Sequence, residues 1–457
     1  MIKESVSQRM LRGRWVLPIA QPPLEYGVLH LDGANITAVY SAAEFAGLGY
    51  DGAVEEFPEA IILPGLINLH THLDYTHMRL FDTTSPFFEW IRGLMNQSRN
   101  WSVEDFRASA MSGADEIAAS GTTTVFDSSY TGMAAYALGE RGLRGVVGLE
   151  LFGVDSRNEQ QVWDRWMDRR QALLQDWSQS HSATQFGGIA QALASGRVRV
   201  TAAPHAPYTV SPGLIRRAKQ WATEQALPWT IHLSETEHER SWINSGDQVV
   251  DDFLLSVPGV VPDGRLDSLV WRNCGHNPIT FMATESLLDE NLVAAHCVRL
   301  DADDISKLAS HKVKVGHCPR SNARLRTGVA PISDLLEAGV EFGFGTDSAA
   351  STDNLDVLSE ARFAVNLHRA LHPTLPFGAD SAIYRLTAGA AKSLGMSDSV
   401  GTLEPGKLAD VAIFNVASCG ENVWKLPYDT LLHGTVELRQ LLVGGLKVLD
   451  KVVDKVL

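Results

Sequence analysis

Eight apolar segments of β-type composition alternate with amphipathic helical segments through the middle of the 457-residue chain. Stretches such as Val103–Ser120 and Pro212–Gln225, which have apolar residues at helical spacing, separate them. Continuous apolar strands separated by helices are typical of a parallel sheet that is buried on both faces. Eight such units predict an α/β fold, the closed (β/α)8 TIM barrel. The segments are Ile61–His72, Thr122–Ser128, Arg144–Leu151, Val198–His205, Pro228–Leu233, Leu292–Cys297, Val313–Cys318 and Val340–Asp347.

Both ends of the chain carry short strand patterns of a different kind. Val28–Leu31 and Asn35–Tyr40 flank an Asp-Gly pair, which predicts a β-hairpin. After residue 394 the β pattern returns, most clearly in Ala409–Phe414. We therefore predict one small β domain built from both chain ends. The predicted limits are 1–60 and 396–457 for this domain and 61–395 for the barrel.

Most of the predicted strands end in a histidine or an aspartate. In a (β/α)8 barrel the active site lies at the C-terminal ends of the strands. The chain has 15 histidines, so this many at strand ends indicates one shared site, although any one of them alone is more commonly a core residue. They are His70 and His72 on strand one, His205, His232, His296 and His317 on strands four to seven, and Asp347 on strand eight.

Three of these histidines and the aspartate form a set of nitrogen and oxygen ligands. His70 and His72 are two residues apart, so their side chains share one face of a strand. Together with His232 and Asp347 they predict a site for one divalent ion such as zinc. Water bound to such an ion has a pKa of about 7 and supplies hydroxide at neutral pH.

Hydrolysis at such a site also needs a group that carries protons to the leaving group. Glu235 lies three residues after His232, on the loop that leaves strand five, where it can reach both water and substrate. The alternative is that Glu235 is only a carboxylate at a helix N-terminus. His296 and Asp347 can hold the attacking hydroxide in orientation, with Asp347 accepting its proton.

The composition limits the partners. A formal charge of −15 argues against nucleic acid and anionic membranes, which both require basic surface on the protein. No apolar run approaches the roughly 18 residues of a membrane span, and the first five residues do not begin an apolar signal segment. The four cysteines form no CxxC pair. We therefore expect a cytoplasmic protein with a small-molecule substrate and neither a nucleic-acid nor a membrane partner.

Seven short motifs follow one another in the order found in one enzyme family. They are Pro64–His72, Ala203–Tyr208, His232–Thr236, Ala295–Cys297, Cys318–Asn322, Gly345–Ser351 and Gly401–Asp410. In these motifs the chain resembles the amidohydrolase superfamily. The similar branch contains S-adenosylhomocysteine, methylthioadenosine, aminodeoxyfutalosine and guanine deaminases and the triazine chlorohydrolases.

The resemblance implies a barrel with a β-sandwich built from both termini and one zinc or iron ion. Binuclear relatives bridge their metals through a carboxylated lysine on strand four, whereas Thr201–His205 contains no lysine, so we predict a single metal ion. Homo-oligomers are common among the relatives. The resemblance implies His70, His72, His232 and Asp347 as metal ligands, Glu235 and His296 as catalytic residues, and His205 as a substrate contact.

The segment after the first ligands bears on the substrate. In Phe87–Ser98 no counterpart is identifiable for the ribose-binding glutamate of the adenosylhomocysteine and methylthioadenosine deaminases. Its Phe-x-Glu-Trp-Ile block, with Cys318–Arg324, is more similar to the aminodeoxyfutalosine deaminases. We predict hydrolytic deamination of an adenine nucleoside derivative, in which hydroxide attacks C6, Glu235 protonates the ring nitrogen and ammonia leaves. Candidate substrate contacts are His205, Glu89, Trp90, Tyr208 and Arg320.

Two other functions stay open at this level. A second C–N or C–Cl hydrolase of the same branch, similar to triazine chlorohydrolases or guanine deaminases, would direct the same hydroxide to a different ring. A non-enzymatic barrel scaffold would keep the fold without turnover, although every expected ligand is present here. The long connection at residues 239–290 is either a lid or structural decoration.

Overall fold

The computed structural model describes residues 8–79, 81–82, 84–257, 260–261, 264–417 and 420–451. Within these ranges the strands form two parallel sheets and one mixed sheet. The strands are β1 (Arg9–Val16), β2 (Leu24–Glu25), β3 (Val28–Asp32), β4 (Asn35–Tyr40), β5 (Glu55–Pro64), β6 (Leu66–Thr71), β7 (Thr122–Ser129), β8 (Arg144–Leu151), β9 (Val198–Pro204), β10 (Trp229–Leu233), β11 (Leu292–His296), β12 (Lys314–His317), β13 (Phe342–Phe344), β14 (Val411–Val416), β15 (Val436–Val443) and β16 (Leu446–Asp450).

The helices lie mainly between the strands of the two parallel sheets, as parallel neighbours require. Capping residues begin many of them; for example, the Ser102 side chain accepts from the backbone N–H of Asp105. The helices are α1 (Ala42–Gly47), α2 (Phe87–Ser98), α3 (Val103–Ala119), α4 (Met133–Arg141), α5 (Glu159–Ser178), α6 (Gly188–Ala194), α7 (Pro212–Glu224), α8 (Glu237–Ser245), α9 (Gln248–Ser256), α10 (Pro278–Thr284), α11 (Ala302–Ser310), α12 (Pro319–Arg324), α13 (Ile332–Glu337), α14 (Val357–Leu371), α15 (Ala379–Leu386), α16 (Ala388–Ser393) and α17 (Pro427–His433).

The two parallel sheets contain the eight strands that the sequence predicts. One consists of β6 to β9 and the other of β10 to β13, each in chain order and with every neighbouring pair parallel. The sheets adjoin where the backbone N–H of His232 donates to the His205 carbonyl oxygen at 2.9 Å. On the opposite side, Thr71 and Asp347 form an isolated parallel bridge. The prediction of an α/β chain with these strands is confirmed.

The mixed sheet joins the two ends of the chain. The predicted hairpin is present as β3 and β4, which pair antiparallel. β5 lies between β1, with which it is parallel, and β14, with which it is antiparallel. Strands from residues 9–64 and 411–450 therefore share one sheet.

The predicted first barrel segment, Ile61–His72, is divided between two sheets. Residues as far as Pro64 belong to β5 in the mixed sheet, and β6 begins only at Leu66. Gly65 lies at the junction, where a Cβ atom would come within 2.2 Å of the Thr123 side chain. Glycine therefore allows the chain to pass from one sheet to the next close to β7.

The long connection at residues 239–290 contributes to the main hydrophobic core. Trp242 and Trp271 are fully buried in it, and the indole N–H of Trp242 donates to Asp251 at 2.8 Å. Phe253 of α9 packs against Phe88 of α2 with ring centroids 5.2 Å apart. Across the described ranges, we find no helix with the length and apolar character needed to cross a bilayer.

Candidate metal centre and active site

Three imidazole rings converge at the C-terminal ends of β6 and β10. One nitrogen from each of His70, His72 and His232 lies within 4.8 Å of the others. The Nε2 atoms of His72 and His232 are 3.1 Å apart. Nδ1 of His232 donates to the His205 carbonyl oxygen at 2.8 Å, so the lone pair of His232 lies on Nε2, toward the centre of the group.

These imidazoles are suited to bind a divalent cation. Burial lowers the pKa of His70 to about 3, and it also lowers the pKa of His72 and His232, so all three rings are neutral near pH 7. Within the described ranges, neither ring nitrogen of His70 has a hydrogen-bond partner. A buried polar atom without a partner is costly. A cation held between the three lone pairs would satisfy His70, so the donor set fits a zinc-type ion.

Asp347, which follows β13, supplies the carboxylate of this group. Its Oδ1 atom is 3.4 Å from Nε2 of His72 and 3.7 Å from Nε2 of His70. Its Oδ2 atom accepts hydrogen bonds from the hydroxyls of Ser321 at 2.6 Å and Ser351 at 2.7 Å. Burial opposes ionisation, but the neighbouring histidines hold the pKa of Asp347 well below its usual value. One carboxylate oxygen is thus fixed by hydroxyls while the other faces the imidazoles.

Glu235 and His296 lie beside the histidine group. Burial raises the pKa of the Glu235 carboxyl to about 7, so a protonated fraction is present at neutral pH. Its Oε1 atom is 3.7 Å from Nδ1 of His296, and that nitrogen is 2.9 Å from Oδ1 of Asn322. Burial lowers the pKa of His296, but Glu235 and Asp347 outweigh this effect and raise it. The pair can hold and move a proton next to the three histidines that could bind a metal.

The backbone at these strand ends is strained. Ser234, His296 and Asp347 have φ angles of 52°, 71° and 56°, in the left-handed region that residues with a side chain rarely adopt. Such conformations persist only where surrounding contacts hold them, and they concentrate at functional sites. The Asp347 N–H donates to the His70 carbonyl at 3.0 Å, and Val298 and Arg299 donate to the Ser234 carbonyl at 2.9 and 2.8 Å.

Two further groups of potential ligands lie nearby. Nitrogens of His70 and His296 approach the Cys318 sulfur, and nitrogens of His205 and His232 approach a Glu150 oxygen, again within 4.8 Å. Burial raises the pKa of the Cys318 thiol well above its usual value and that of Glu150 to about 8, so both are largely protonated near pH 7. Because a thiol must lose its proton to ligate a metal, the group of His70, His72 and His232 fits better.

Carboxyl groups also surround the site on the β6–β9 side. Oδ2 of Asp74 accepts from the Ser129 hydroxyl at 2.9 Å and from the Thr131 N–H at 2.7 Å. Oδ2 of Asp127 accepts from the Leu73 N–H at 2.8 Å. The Oδ1 atoms of both aspartates are without a hydrogen-bond partner in the described part of the chain. Burial raises the pKa of both carboxyls.

The predicted substrate contacts fall into two sets. The cluster of His70, His72, His232 and Asp347 is called the metal group below. His205 lies next to it, with its ring 4.9 Å from that of His232, and the Tyr208 ring lies 6.1 Å from that of His205. Trp90 is buried, and its indole nitrogen has no hydrogen-bond partner among the residues that the structure describes. By contrast, Glu89 is exposed on α2. The Arg320 side chain donates to Asn354 at 2.9 Å and pairs with Asp353 and Glu360.

Residues beyond the predicted set also hold the site. Ser321, Ser351 and Asn322 bond directly to Asp347 or His296, and all three stand in motifs that the sequence makes conspicuous, Cys318–Asn322 and Gly345–Ser351. A role for them was not inferred because hydroxyl and amide contacts depend on loop geometry. The structure does not bring His317 to the metal group; its ring packs against Phe344 and His368.

Comparisons with known proteins agree with the family resemblance found in the sequence. A model of the amidohydrolase family matches residues 61–436. A 5-methylthioadenosine/S-adenosylhomocysteine deaminase from Syntrophobacter fumaroxidans is 32% identical over 357 residues, covering 77% of this chain and 72% of the relative.

Two solved structures are similar over nearly the whole chain. An adenosine deaminase from Xanthomonas campestris with bound zinc matches with a TM-score of 0.78 at 23% identity, covering 96% of this chain and 92% of its own. Helicobacter pylori aminofutalosine deaminase matches with a TM-score of 0.77 at 18% identity, covering 97% of this chain and 100% of its own. At these identities the two structures show a shared fold. With the family match over most of its length, this chain belongs to the amidohydrolase family.

Proposed function

We propose that this protein is a metal-dependent hydrolase of carbon–nitrogen bonds that deaminates an adenine nucleoside derivative. The observation that carries the proposal is Glu235, a buried carboxyl with a pKa of about 7 placed beside a cluster of three neutral imidazoles and one ionised carboxylate. That arrangement supplies both a proton donor and a cation site. The named deaminase that is 32% identical supports the nucleoside class.

The metal in this proposal is one divalent ion per chain, zinc before iron, held by His70, His72, His232 and Asp347. Nitrogen and oxygen donors of this kind suit zinc. When bound there, the ion lowers the pKa of a coordinated water and so supplies a nucleophile at neutral pH. The absence of lysine in β9 supports a single ion.

The protein's own groups carry the protons. Glu235 delivers a proton to the ring nitrogen beside C6 as the new C6–O bond forms. His296 and Asp347 orient the attacking water, and Asp347 accepts its proton. The proton held by Asp347 then passes to the amino nitrogen, the C6–N bond breaks and ammonia leaves. The C6 hydroxyl returns a proton to Glu235, so one water is consumed for each ammonia released. Asn322 keeps His296 oriented through the 2.9 Å contact to Nδ1.

His205 and Tyr208 form part of the substrate pocket in this proposal, since they are buried or half-buried beside His232. Trp90 is included because it packs in one cluster with Met78 and Ala350, which lie in the segments after His72 and Asp347. Substrate contacts by Glu89 and Arg320 stay predictions. We further propose that the eight parallel strands close into a barrel across the Thr71–Asp347 bridge and that the mixed sheet is part of a terminal β-sandwich. The domain limits 1–60, 61–395 and 396–457, a cytoplasmic location and a homo-oligomer remain proposals.

Ammonia release from purified, zinc-loaded protein, together with chloride release for the chlorotriazine, tests the function. The panel consists of adenosine, methylthioadenosine, S-adenosylhomocysteine, aminodeoxyfutalosine, guanine and a chlorotriazine. We expect turnover of at least one adenine nucleoside, with the absorbance change of an adenine-to-hypoxanthine conversion. Turnover of only guanine or the chlorotriazine would replace the proposal with that activity, and no turnover of any compound by metal-loaded protein would refute it.

A further inference from the structure

Aromatic rings continue outward from the metal group along the ends of three neighbouring strands. Tyr130 directly follows β7, Phe152 directly follows β8 and His205 directly follows β9. The ring centroids are 6.2 Å apart for Tyr130 and Phe152, 4.9 Å for Phe152 and His205, and 4.9 Å for His205 and His232. A continuous row of rings thus leads from a metal ligand to the surface.

The outer two rings are exposed, unlike the aromatic residues around them. Tyr130 is 45% exposed and Phe152 is 40% exposed, whereas Phe106 and Tyr208, which contact this row, are buried. Aromatic surface left in water forgoes the stabilisation that its burial would give. Packing therefore does not explain why two adjacent strand ends present large rings to solvent beside a reaction centre.

The charged side chains near the row leave the two outer rings as its exposed face. Glu150 at the end of β8 and Asp127 within β7 are buried, and so is Asp74, which accepts from the Ser129 hydroxyl at the end of β7. The guanidinium of Arg169 lies 6.0 Å from the Tyr130 ring and donates to the Tyr130 carbonyl oxygen. Because the three carboxyl groups are buried, the exposed side chains directly after β7 and β8 are the two rings.

We propose that Tyr130 and Phe152 form a subsite for an uncharged apolar or aryl substituent of the substrate, stacked against the row that ends in His205. This inference rests on the proposed function, because it assigns the substituent that the nucleoside carries away from its reacting ring.

Steady-state kinetics of Phe152→Ala and Tyr130→Ala on adenosine, methylthioadenosine and S-adenosylhomocysteine test the subsite. We expect each substitution to raise KM for methylthioadenosine roughly tenfold, as loss of apolar contact does, and to change KM for adenosine less than twofold. Phe363→Ala is the matched control, because Phe363 is 36% exposed on α14. It should change neither value.

Each possible result of these kinetic measurements either supports or contradicts the subsite. Equal losses on all nucleosides, or no loss on any of them, would overturn the subsite while leaving the deaminase function intact. Failure of the wild-type protein to release ammonia from any nucleoside would overturn the proposed function, and the subsite with it.

A separate observation concerns the loop that carries Glu235. The Glu239 carboxylate is buried, and it accepts from the Ser234 N–H through Oε1 and from the Glu235 N–H through Oε2, both at 2.9 Å. The Glu239 N–H in turn donates to the Thr236 hydroxyl at 3.0 Å, which caps α8. The Glu239 side chain thus binds the backbone of both the strained residue Ser234 and the proposed proton donor Glu235.

The geometry points to Glu239 as a positioning residue for Glu235, which also rests on the proposed function. Glu239→Gln replaces one acceptor oxygen with an amide NH2 that cannot accept from a backbone N–H. We expect kcat to fall about 10- to 100-fold with KM, metal content and thermal midpoint nearly unchanged, as for other groups that orient a reactive side chain. Glu237→Gln makes the same substitution on the exposed face of the same helix and should be silent.

A loss of kcat confined to Glu239→Gln supports the assignment. Unchanged kcat, or a parallel loss of metal and thermal midpoint, refutes it. If Glu239→Gln does not fold, Thr236→Ala shifts the same carboxylate through its cap and should lower kcat in the same direction by a smaller factor; an unaltered kcat there counts against the assignment.

Discussion

The two parallel sheets meet at one site but build their strand ends differently. In the β10–β13 sheet, Ser234, His296 and Asp347 take left-handed backbone conformations without being glycine. After the strands of the β6–β9 sheet, the positive φ angles belong to glycines, Gly132 and Gly153. Side-chain contacts thus hold strained residues at the ends of the β10–β13 sheet. In the β6–β9 sheet the loops turn at glycines, which adopt these angles without strain.

This difference separates two tasks. The groups proposed to move protons, Glu235, His296 and Asp347, lie at the end of a strand of the β10–β13 sheet or just after one, and hydrogen bonds hold each of them. The β6–β9 sheet contributes two of the proposed metal ligands near the end of β6, but its other strand ends present exposed rings and buried carboxyl groups. Changes in the β6–β9 loops can therefore alter the substrate, whereas changes in the β10–β13 loops alter the reaction.

Metal removal should have the largest effect, because both sheets supply proposed ligands. We expect a chelator to reduce ammonia release to background and one equivalent of zinc per chain to restore it. His72→Asn should bind less than a tenth of an equivalent, whereas His77→Asn, five residues away and exposed, should keep the metal. Elemental analysis measures this; two tightly bound ions per chain would contradict the single-ion site.

Glu235→Gln should have the next largest effect. We expect kcat to fall by roughly 10²- to 10⁴-fold, since an amide cannot deliver the proton, while the zinc content stays at one per chain. Glu237→Gln again serves as the control. A nearly active Glu235→Gln enzyme would show that Glu235 is not the proton donor. The proposed division of roles between the two sheets would then be wrong.

A pair of serine substitutions compares the sheets directly. Ser321→Ala removes a hydroxyl that donates to Asp347 at 2.6 Å, whereas Ser129→Ala removes one that donates to Asp74 at 2.9 Å. A hydrogen bond to a charged group contributes about 1.5–3 kcal/mol, so we expect Ser321→Ala to lose roughly tenfold in kcat/KM and in zinc affinity. Ser129→Ala should lose less than threefold. Equal losses in competition and kinetic assays would contradict the comparison.

Glu150→Gln should have the smallest effect on activity, below threefold, but a clear effect on stability. Burial raises the Glu150 pKa from 4.5 to about 8, so between these values the metal-free native state binds more protons than the unfolded state. Its free energy of unfolding therefore falls as pH rises through this window, by at most ~1.4 kcal/mol per pH unit. Glu150→Gln should flatten that fall. Denaturant midpoints of chelated protein at pH 6 and 8.5 measure it; identical pH dependence would contradict the assignment.

The strands and the residues of the metal group can be predicted from the sequence because both follow simple periodicities. The alternation of a strand places His70 and His72 on one face, and the barrel rule gathers His232 and Asp347 at the same end. The structure brings these four together. Their roles as ligands remain for metal analysis to test.

What the sequence did not reveal depends on contacts between distant loops. Ser321 and Ser351 reach Asp347 from α12 and from the loop after β13. Arg320, one residue from Ser321, instead pairs with Asp353 and Glu360, which no local pattern indicates. The division of the first apolar run at Gly65 was missed because both flanking segments are equally apolar and the strand period continues through it.

The position of β5 has a consequence for how the chain is made. Its residue Ile61 pairs with Phe414 on β14, while Leu66, two residues after the end of β5, already pairs with β7. At a synthesis rate of roughly 5–20 residues per second, β5 waits on the order of tens of seconds for its partner. During that time the edge of β5 that will pair with β14 has no partner strand. Such an unpaired apolar edge can pair with other nascent chains. Completion of the C-terminal strands, rather than of the catalytic strands, therefore marks the end of the aggregation-prone period.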